Sequence, residues 1–371
     1  MKFVILTLWH ERRRYLPGVL AVAFSALLIG LQVGIFWGLI SVVSVPIVRS
    51  RADLWVGFPR TPSIDLGRAI PAYYRNRVEG LAEVARTDEY IQSMSLWKNT
   101  REEVELAIVA GASLDDDALG PARMLAPELR QALREPGTIV IDVADRTRLG
   151  VTEVGDLGSI NNHAVRIVGF MSGMGSLTGP YAMCSLATAR TLLGLREEQT
   201  TFILATLRDP AQGDAAAAKL NEFPNFTAHV SERFSLQSKI HWLTKTKAGA
   251  AVSFIAALGL FVGAVVTSQT LYGATVAAAR ELAVLRALGI PRGRMRLFVL
   301  QQALCVGVLG IGVGSPGAYL LAALARQVGT NADLALWIVG SDIVLTLAMS
   351  LVAGLYAMRS LSHAEPTALL R

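Results

Sequence analysis

Four stretches of this 371-residue chain, 17–45, 248–272, 297–325 and 334–358, are apolar and free of charge except for Asp342 in the last. A helix needs roughly 20 apolar residues to cross the hydrocarbon core of a bilayer, and in lipid every backbone N–H and C=O must be bonded within its own segment. Each stretch therefore reads as a membrane-spanning helix. Apolar residues make up 52% of the chain and its mean hydropathy is +0.44. A soluble domain stays near 45–50% with glycine included.

The charges between these stretches set an expected orientation. Arg12, Arg13 and Arg14 precede the first span, whose apolar run exceeds the roughly 7–15 residues of a signal-peptide core and is closed by no small-residue cleavage site. It reads as a retained anchor with 1–16 in the cytosol, where Phe3, Val4, Leu6, Leu8 and Trp9 form an amphipathic face. Arg280, Arg286, Arg292, Arg294 and Arg296 against the single acid Glu281 put the loop 273–296 on the same side. The expected layout is span one with its stalk over 17–48, an extracytoplasmic domain over 49–230, a stalk and span two over 231–272, then spans three and four and a cytosolic tail at 359–371. The fold class is an α-helical membrane protein with four transmembrane helices and a mixed α/β extracytoplasmic domain inserted between helices one and two. The expected location is a bacterial cytoplasmic (inner) membrane.

Within the external domain, branched apolar runs flanked by turn formers predict strands over 137–142, 164–170 and 200–207, and helices are expected over 127–134 and 214–223. The glycine-, serine- and methionine-rich segment 169–180 reads as a mobile loop and a contact surface. Asp115, Asp116 and Asp117 read as a solvated turn. Phe234, Leu236, Ile240 and Leu243 recur at near-helical spacing ahead of span two, which predicts a helix continuing out of the bilayer as a stalk. Trp242 fits an interfacial belt, a reading compatible with the stalk.

Catalytic motifs do not occur. The chain has no G-x-x-x-x-G-K-[ST] phosphate loop, no H-E-x-x-H, no G-x-S-x-G and no Cys-x-x-Cys. Its five histidines are dispersed, and Cys184 and Cys305 lie far apart without metal-ligand neighbours. No catalytic, cofactor-binding or metal-binding residue is expected in this chain. A net charge of +6 raises nucleic acid as a partner, but the arginines cluster beside the apolar spans, so membrane topology accounts for them.

The run Ala279-Arg280-Glu281-Leu282-Ala283-Val284-Leu285-Arg286-Ala287-Leu288-Gly289 resembles the R-E-[IL]-[AG]-x-[LM]-[RK]-A-[LI]-G signature of the FtsX-like permease superfamily, the MacB, LolC/LolE and DevC group of ABC transporter subunits. Two further segments are similar to that family: Ala52-Asp53-Leu54-Trp55-Val56 to the start of MacB-like periplasmic core domains, and Ala364 to Arg371 to the family's D-P-x-x-x-L-R ending. The resemblance implies that Arg280, Glu281, Leu282, Leu285, Arg286, Leu288 and Gly289 form a coupling helix docked on a MacB/LolD-type ATPase dimer, which binds the ATP and magnesium. A helix lying on anionic lipid also suits those arginines.

The other partners implied are a second permease subunit, identical or different, a periplasmic adaptor, an outer-membrane channel and membrane lipid. The implied function is mechanotransmission. ATP-driven closure of the partner moves the external domain and exports or extracts an amphipathic or lipid-like substrate; the alternative is FtsX-like signalling to an external cell-wall hydrolase. Leu236, Ile240 and Leu243 are the expected stalk contacts. Gly307, Gly310, Gly312 and Gly314 ahead of Pro316 are expected to permit close helix packing and a kink. Asp342 is a candidate functional acid, although its place near the outer end of span four favours an interfacial position.

Overall fold

The computed structural model describes residues 12–176, 178–277, 291–327 and 336–362. Leu39–Ala250 forms one compact unit, and the described parts of Met1–Gly38 and Ala251–Arg371 form another.

In chain order, α1 (Arg12–Val42) turns into α2 (Val45–Arg49), started by a proline in its first turn, and β1 (Leu54–Gly57) follows. Next come β2 (Ile70–Pro71), α3 (Tyr74–Glu79), the long β3 (Val84–Asn99), β4 (Val104–Ala112) and α4 (Pro127–Ala132). Then β5 (Thr138–Asp142), α5 (Arg146–Leu149), β6 (Leu157–Ile160), β7 (His163–Met171), β8 (Tyr181–Ser185) and α6 (Leu186–Leu193) complete the middle of the unit. It closes with β9 (Gln199–Thr200), β10 (Phe202–Leu207), α7 (Gly213–Leu220), β11 (Thr227–Val230) and α8 (Ser231–Lys245). The remaining helices are α9 (Lys247–Ala277), α10 (Arg292–Gln327) and α11 (Leu336–Ser362).

A nine-stranded sheet runs in the order β11-β1-β10-β3-β4-β8-β5-β7-β6, and β6 also pairs back to β3 through Trp97↔Ile160 and Lys98↔Ser159. The strands from β3 to β6 in that order thus close on themselves, while β11, β1 and β10 extend from the first half of β3. Period-two alternation explains how the sheet feeds separate cores. On one face of the ring, Ile91, Trp97, Val109, Ile139, Ile141, Ile160, Val165, Ile167 and Cys184 pack with Ala189 and Leu192 of α6. On the other face, Trp55, Tyr90, Ile108, Val140, Tyr181, Met183 and Phe202 pack with Phe234 of α8. A third core sets Leu54, Val56, Ile203 and Ala205 against Ala216, Ala217 and Leu220 of α7.

The expected strand over 137–142 is β5 and that over 164–170 is β7. The third expected strand splits, because Gln199 and Thr200 pair with β2 in a separate ladder. The helices expected over 127–134 and 214–223 are the shorter α4 and α7. The segment 169–180 is not simply a mobile loop: Gly169 to Met171 belong to β7, and Met174 is buried with its N–H donated to the Asp142 carboxylate. The aspartate run is the exposed turn expected, and it also carries ion pairs. Asp115 pairs with Arg134, Asp116 with Arg130 and Asp117 with Arg86.

Among the described residues, three helices carry apolar stretches long enough to cross a membrane by length and composition: Leu16–Val42, Lys247–Thr270 and Leu300–Leu324. Within α11 the described apolar stretch, Trp337–Val352, is shorter.

Candidate functional site

Asp53, at the entrance to the external domain, organises the point where the chain enters and leaves it. Its N–H donates to Ala205 O and its carboxylate accepts from Leu207 N–H, each at 2.8 Å, which fixes β1 on β10. Its carbonyl accepts from Ser231 N–H at 2.9 Å, and the Ser231 hydroxyl donates to Ala52 O. The first strand and the last helix of the domain are therefore tied directly to each other. Two residues on, Trp55 is fully buried, with ring contacts to Tyr90, Phe202 and Phe234 at centroid distances of 5.4, 5.5 and 6.0 Å. The D-L-W-V motif is thus an anchor and a core plug.

The helix α8 divides the apolar set expected to form one stalk face. Phe234 enters the domain core, whereas Leu236 and Ile240 are 55% and 50% exposed and Leu243 is half-buried. The face turned to the domain is polar. Gln237 donates to Thr61 O at 3.1 Å, Ser238 accepts from Ile64 N–H at 3.3 Å, and the Trp242 indole donates to the Asp65 carboxylate at 3.0 Å. Trp242 therefore serves as a hydrogen-bond tie to the domain, a role the belt reading did not include.

Asp65 is 7% exposed and also accepts from Gln92 Nε2 at 2.9 Å. Gln92 in turn accepts from the Tyr90 hydroxyl at 2.7 Å, and its Nε2 donates to Tyr181 at 3.3 Å. Burial of the carboxylate, offset in part by the bonds from Trp242 and Gln92, pushes its pKa up to about 6.

The stalk does not run unbroken into the next helix. Thr246 takes an extended backbone with φ −110° and ψ 148° between α8 and α9. Its hydroxyl donates to Trp242 O at 2.6 Å and accepts from Gly249 N–H at 2.9 Å, so one side chain caps the end of one helix and the start of the next. A Cβ on Gly249 would lie 2.8 Å from Leu243 Cα and still closer to the Trp242 carbonyl, so this joint admits only glycine without movement.

In the helical unit, α1 supplies small residues to all three neighbours. A Cβ on Gly310 of α10 would meet Val22 Cβ at 2.6 Å, and one on Gly314 would meet Ala26 Cβ at 2.9 Å and the Ala23 carbonyl. Gly307 faces Leu347 and Ser350 of α11, while Gly312 has open space. Pro316 sits inside α10 without ending it. Ser25 donates to Gly263 O of α9 at 3.1 Å, and Trp37 meets Trp337 edge to face at 4.7 Å. Asp342 is packed between helices: it is 3% exposed, accepts from Ser315 at 3.1 Å and Thr346 at 3.3 Å, and lies against Gly30.

Residues 19–223 match the MacB-like periplasmic core domain, and 253–366 match the FtsX-like permease C-terminal domain. The chain belongs to the FtsX/MacB-type ABC permeases. Among solved structures, this permease is similar to the periplasmic region of MacB from Actinobacillus actinomycetemcomitans, at 10% identity over 51% of this chain and 94% of that one, with a TM-score of 0.35. It is also similar to the extracellular domain of the noncanonic ABC-type transporter YknZ from Gram-positive bacteria, at 12% identity over 47% of this chain and 98% of that one, with a TM-score of 0.33. No curated protein matches the permease.

Of the permease's sequence-predicted site residues, Arg280, Glu281, Leu282, Leu285, Arg286, Leu288 and Gly289 lie outside the described residues. So do the expected amphipathic residues Phe3 to Trp9 and the ending Ala364 to Arg371. Leu236, Ile240 and Leu243 share α8, and Gly307, Gly310, Gly314 and Pro316 share α10. Asp65, Gln92, Thr246 and Gly249 carry no sequence motif. Thr246 and Gly249 alone had a local signal, a hydroxyl three residues ahead of a glycine where a helix restarts.

Proposed function

We propose that this permease is the membrane subunit of an ABC exporter in which a separate ATPase drives movement of the external domain. The observation that carries the reading is the joining of β1 to β11 and of Asp53 to Ser231 at the domain's root. With span one leading into β1 and span two following α8, motion of the two helices enters the sheet at a single place. Four spans, with the domain inserted after the first and both chain ends cytosolic, are part of the same proposal. Arg280, Glu281 and Arg286, with Leu282, Leu285, Leu288 and Gly289, receive the partner's motion on the cytosolic side.

The substrate class proposed is amphipathic or lipid-like. The support is compositional: the spans are nearly free of charge, and a polar solute crossing between them would need groups to replace its water. A second permease copy or a different permease subunit covers α9, where Phe254, Ile255, Leu258 and Phe261 are exposed. The test is purification from the native membrane followed by identification of bound chains and lipid. An ATPase with bound lipid and an adaptor supports export. A cell-wall hydrolase in place of adaptor and lipid overturns it in favour of signalling.

A further inference from the structure

The carboxylate of Asp65 sits where the sheet forks. β3 pairs with β10 as far as Tyr90↔Phe202, and beyond that point it continues into the ring, pairing with β4 on one side and finally with β6. Gln92, fully buried two residues past the end of the β10 ladder, takes one oxygen of Asp65; Trp242 of α8 takes the other. Asp65 is thus a shared acceptor for the ring and for the helix that leads to span two.

We propose that Asp65 is the positioning residue that fixes α8 on the fork of the sheet, and that it releases Trp242 when its carboxylate takes up a proton. The regulatory consequence for transport rests on the permease reading above; the release itself does not.

The hydrogen-bond inventory of the site gives the direction. An ionised carboxylate accepts only, and both its partners here are N–H donors. A proton on either oxygen makes it a weaker acceptor and adds an O–H donor to a site whose two partners both donate. Gln92 can meet that O–H by turning its amide in place, because the Tyr90 hydroxyl at 2.7 Å and the Tyr181 hydroxyl at 3.3 Å can each donate or accept, whereas the indole of Trp242 only donates. Trp242 is less confined: it is half-buried, on the last turns of α8, beside the break at Thr246. Trp242 is therefore the partner that yields.

The titratable groups facing Asp65 are Tyr90 on β3 and Tyr181 on β8, both pushed well above the usual phenol range by burial, so they stay neutral while Asp65 titrates. The segment 61–66 brings no second ionisable group, and α8 presents the uncharged indole of Trp242. Lys239 of α8 is held below the usual amine range by burial. A carboxylate that burial holds near pH 6 changes charge under mildly acidic external conditions.

The test uses the full chain in lipid nanodiscs with 15N-labelled indoles. Of its six tryptophans, Trp242 is assigned by the loss of one signal in Trp242→Phe. The expected result is a Trp242 indole resonance that titrates with a midpoint of about 6 and is flat in Asp65→Asn. Trp242→Phe, which keeps an aromatic ring and removes the donor, is the second variant should Asp65→Asn fail to fold. In it, amide exchange across α8 at neutral pH rises about tenfold while the ring strands are unchanged. A Trp242 signal that does not titrate, or that titrates equally in Asp65→Asn, overturns the proposal, as does unchanged exchange in Trp242→Phe. None of these readouts needs an ATPase, so their failure is separate from failure of the exporter reading.

Discussion

The hydroxyl of Ser315 donates to Asp342 across 3.1 Å, one residue before Pro316 removes an N–H from the α10 ladder. A buried carboxylate thus ties α11 to α10 at the turn that lacks its full set of backbone bonds. Thr346, one turn along α11, supplies the second donor.

Replacing Asp342 with alanine should destabilise the chain by about 1–2 kcal/mol, since the buried Thr346 hydroxyl and the half-buried Ser315 hydroxyl lose their acceptor. Asparagine retains one acceptor oxygen and should cost less. Unfolding by sodium dodecyl sulfate titration in mixed micelles measures both, and equal midpoints for native and alanine chains would reject the tie.

Gly314 and Gly312 make a matched pair. Alanine at Gly314 must push α10 away from Ala23 and Ala26 of α1, at a cost of about 1–3 kcal/mol. At Gly312 the added methyl meets nothing within 4 Å, so alanine there should be neutral or slightly favourable. The same micelle titration, run on both variants side by side, checks the contrast.

At the joint between α8 and α9, Thr246→Val keeps the shape and removes the hydroxyl that serves Trp242 O and Gly249 N–H. A loss of about 1 kcal/mol is expected, in line with removal of a helix cap. Amide exchange should speed up at Gly249 and spare β5 and β7. A uniform change across the whole domain would contradict a local capping role.

Asp145 gives a pH dependence. Burial first, and then the negative charge of Asp142, push its pKa up to about 6. A raised value means that the folded state binds the proton more tightly than the unfolded one. The stability it contributes is complete below the ordinary carboxylate range and is lost as pH rises through about 6. Asp145→Asn, which stays neutral, should gain in relative melting temperature from about pH 4 to 6 and hold that gain above. Melting curves at successive pH values show whether it does; a constant difference would remove the titration from the account.

The proposed docking of the 280–289 segment on an ATPase predicts that Glu281→Ala or Arg286→Ala reduces stimulation of the co-purified ATPase about tenfold or more while membrane insertion is unchanged. Undiminished stimulation in both variants would dismiss these residues as docking contacts.

The strands β5 and β7 were legible because Ile139, Val140 and Ile141, and Val165, Ile167 and Val168, form unbroken or alternating branched runs. β3 was not. Arg86, Asp88, Glu89, Gln92 and Lys98 interrupt its pattern, and several of these residues face other elements instead of water: Asp88 caps Leu119 N–H, Glu89 pairs with Arg190, and Gln92 holds Asp65. Side chains that tie one element to another look like surface residues in a linear reading. The same applies to Asp65, whose partner Trp242 lies 177 positions away. The apolar spans and the glycines of α10 depend on local composition, and that much is visible in sequence. The split of α8 into a buried Phe234 and an exposed Leu236 depends on where the sheet lies, which spacing alone does not encode.

The pairing of Leu54 with Val230 in an antiparallel ladder leaves both outgoing ends of the domain at the same end of two neighbouring strands. Forces that pull those ends apart would open the ladder like a zip, one hydrogen bond at a time, against low resistance. Forces that move both ends together put no differential load on that ladder, so the domain travels as one piece. The domain is therefore a stiff passenger for concerted motion and a weak link for divergent motion, which makes symmetry of the pull, more than its size, the quantity that decides whether the domain is carried or undone.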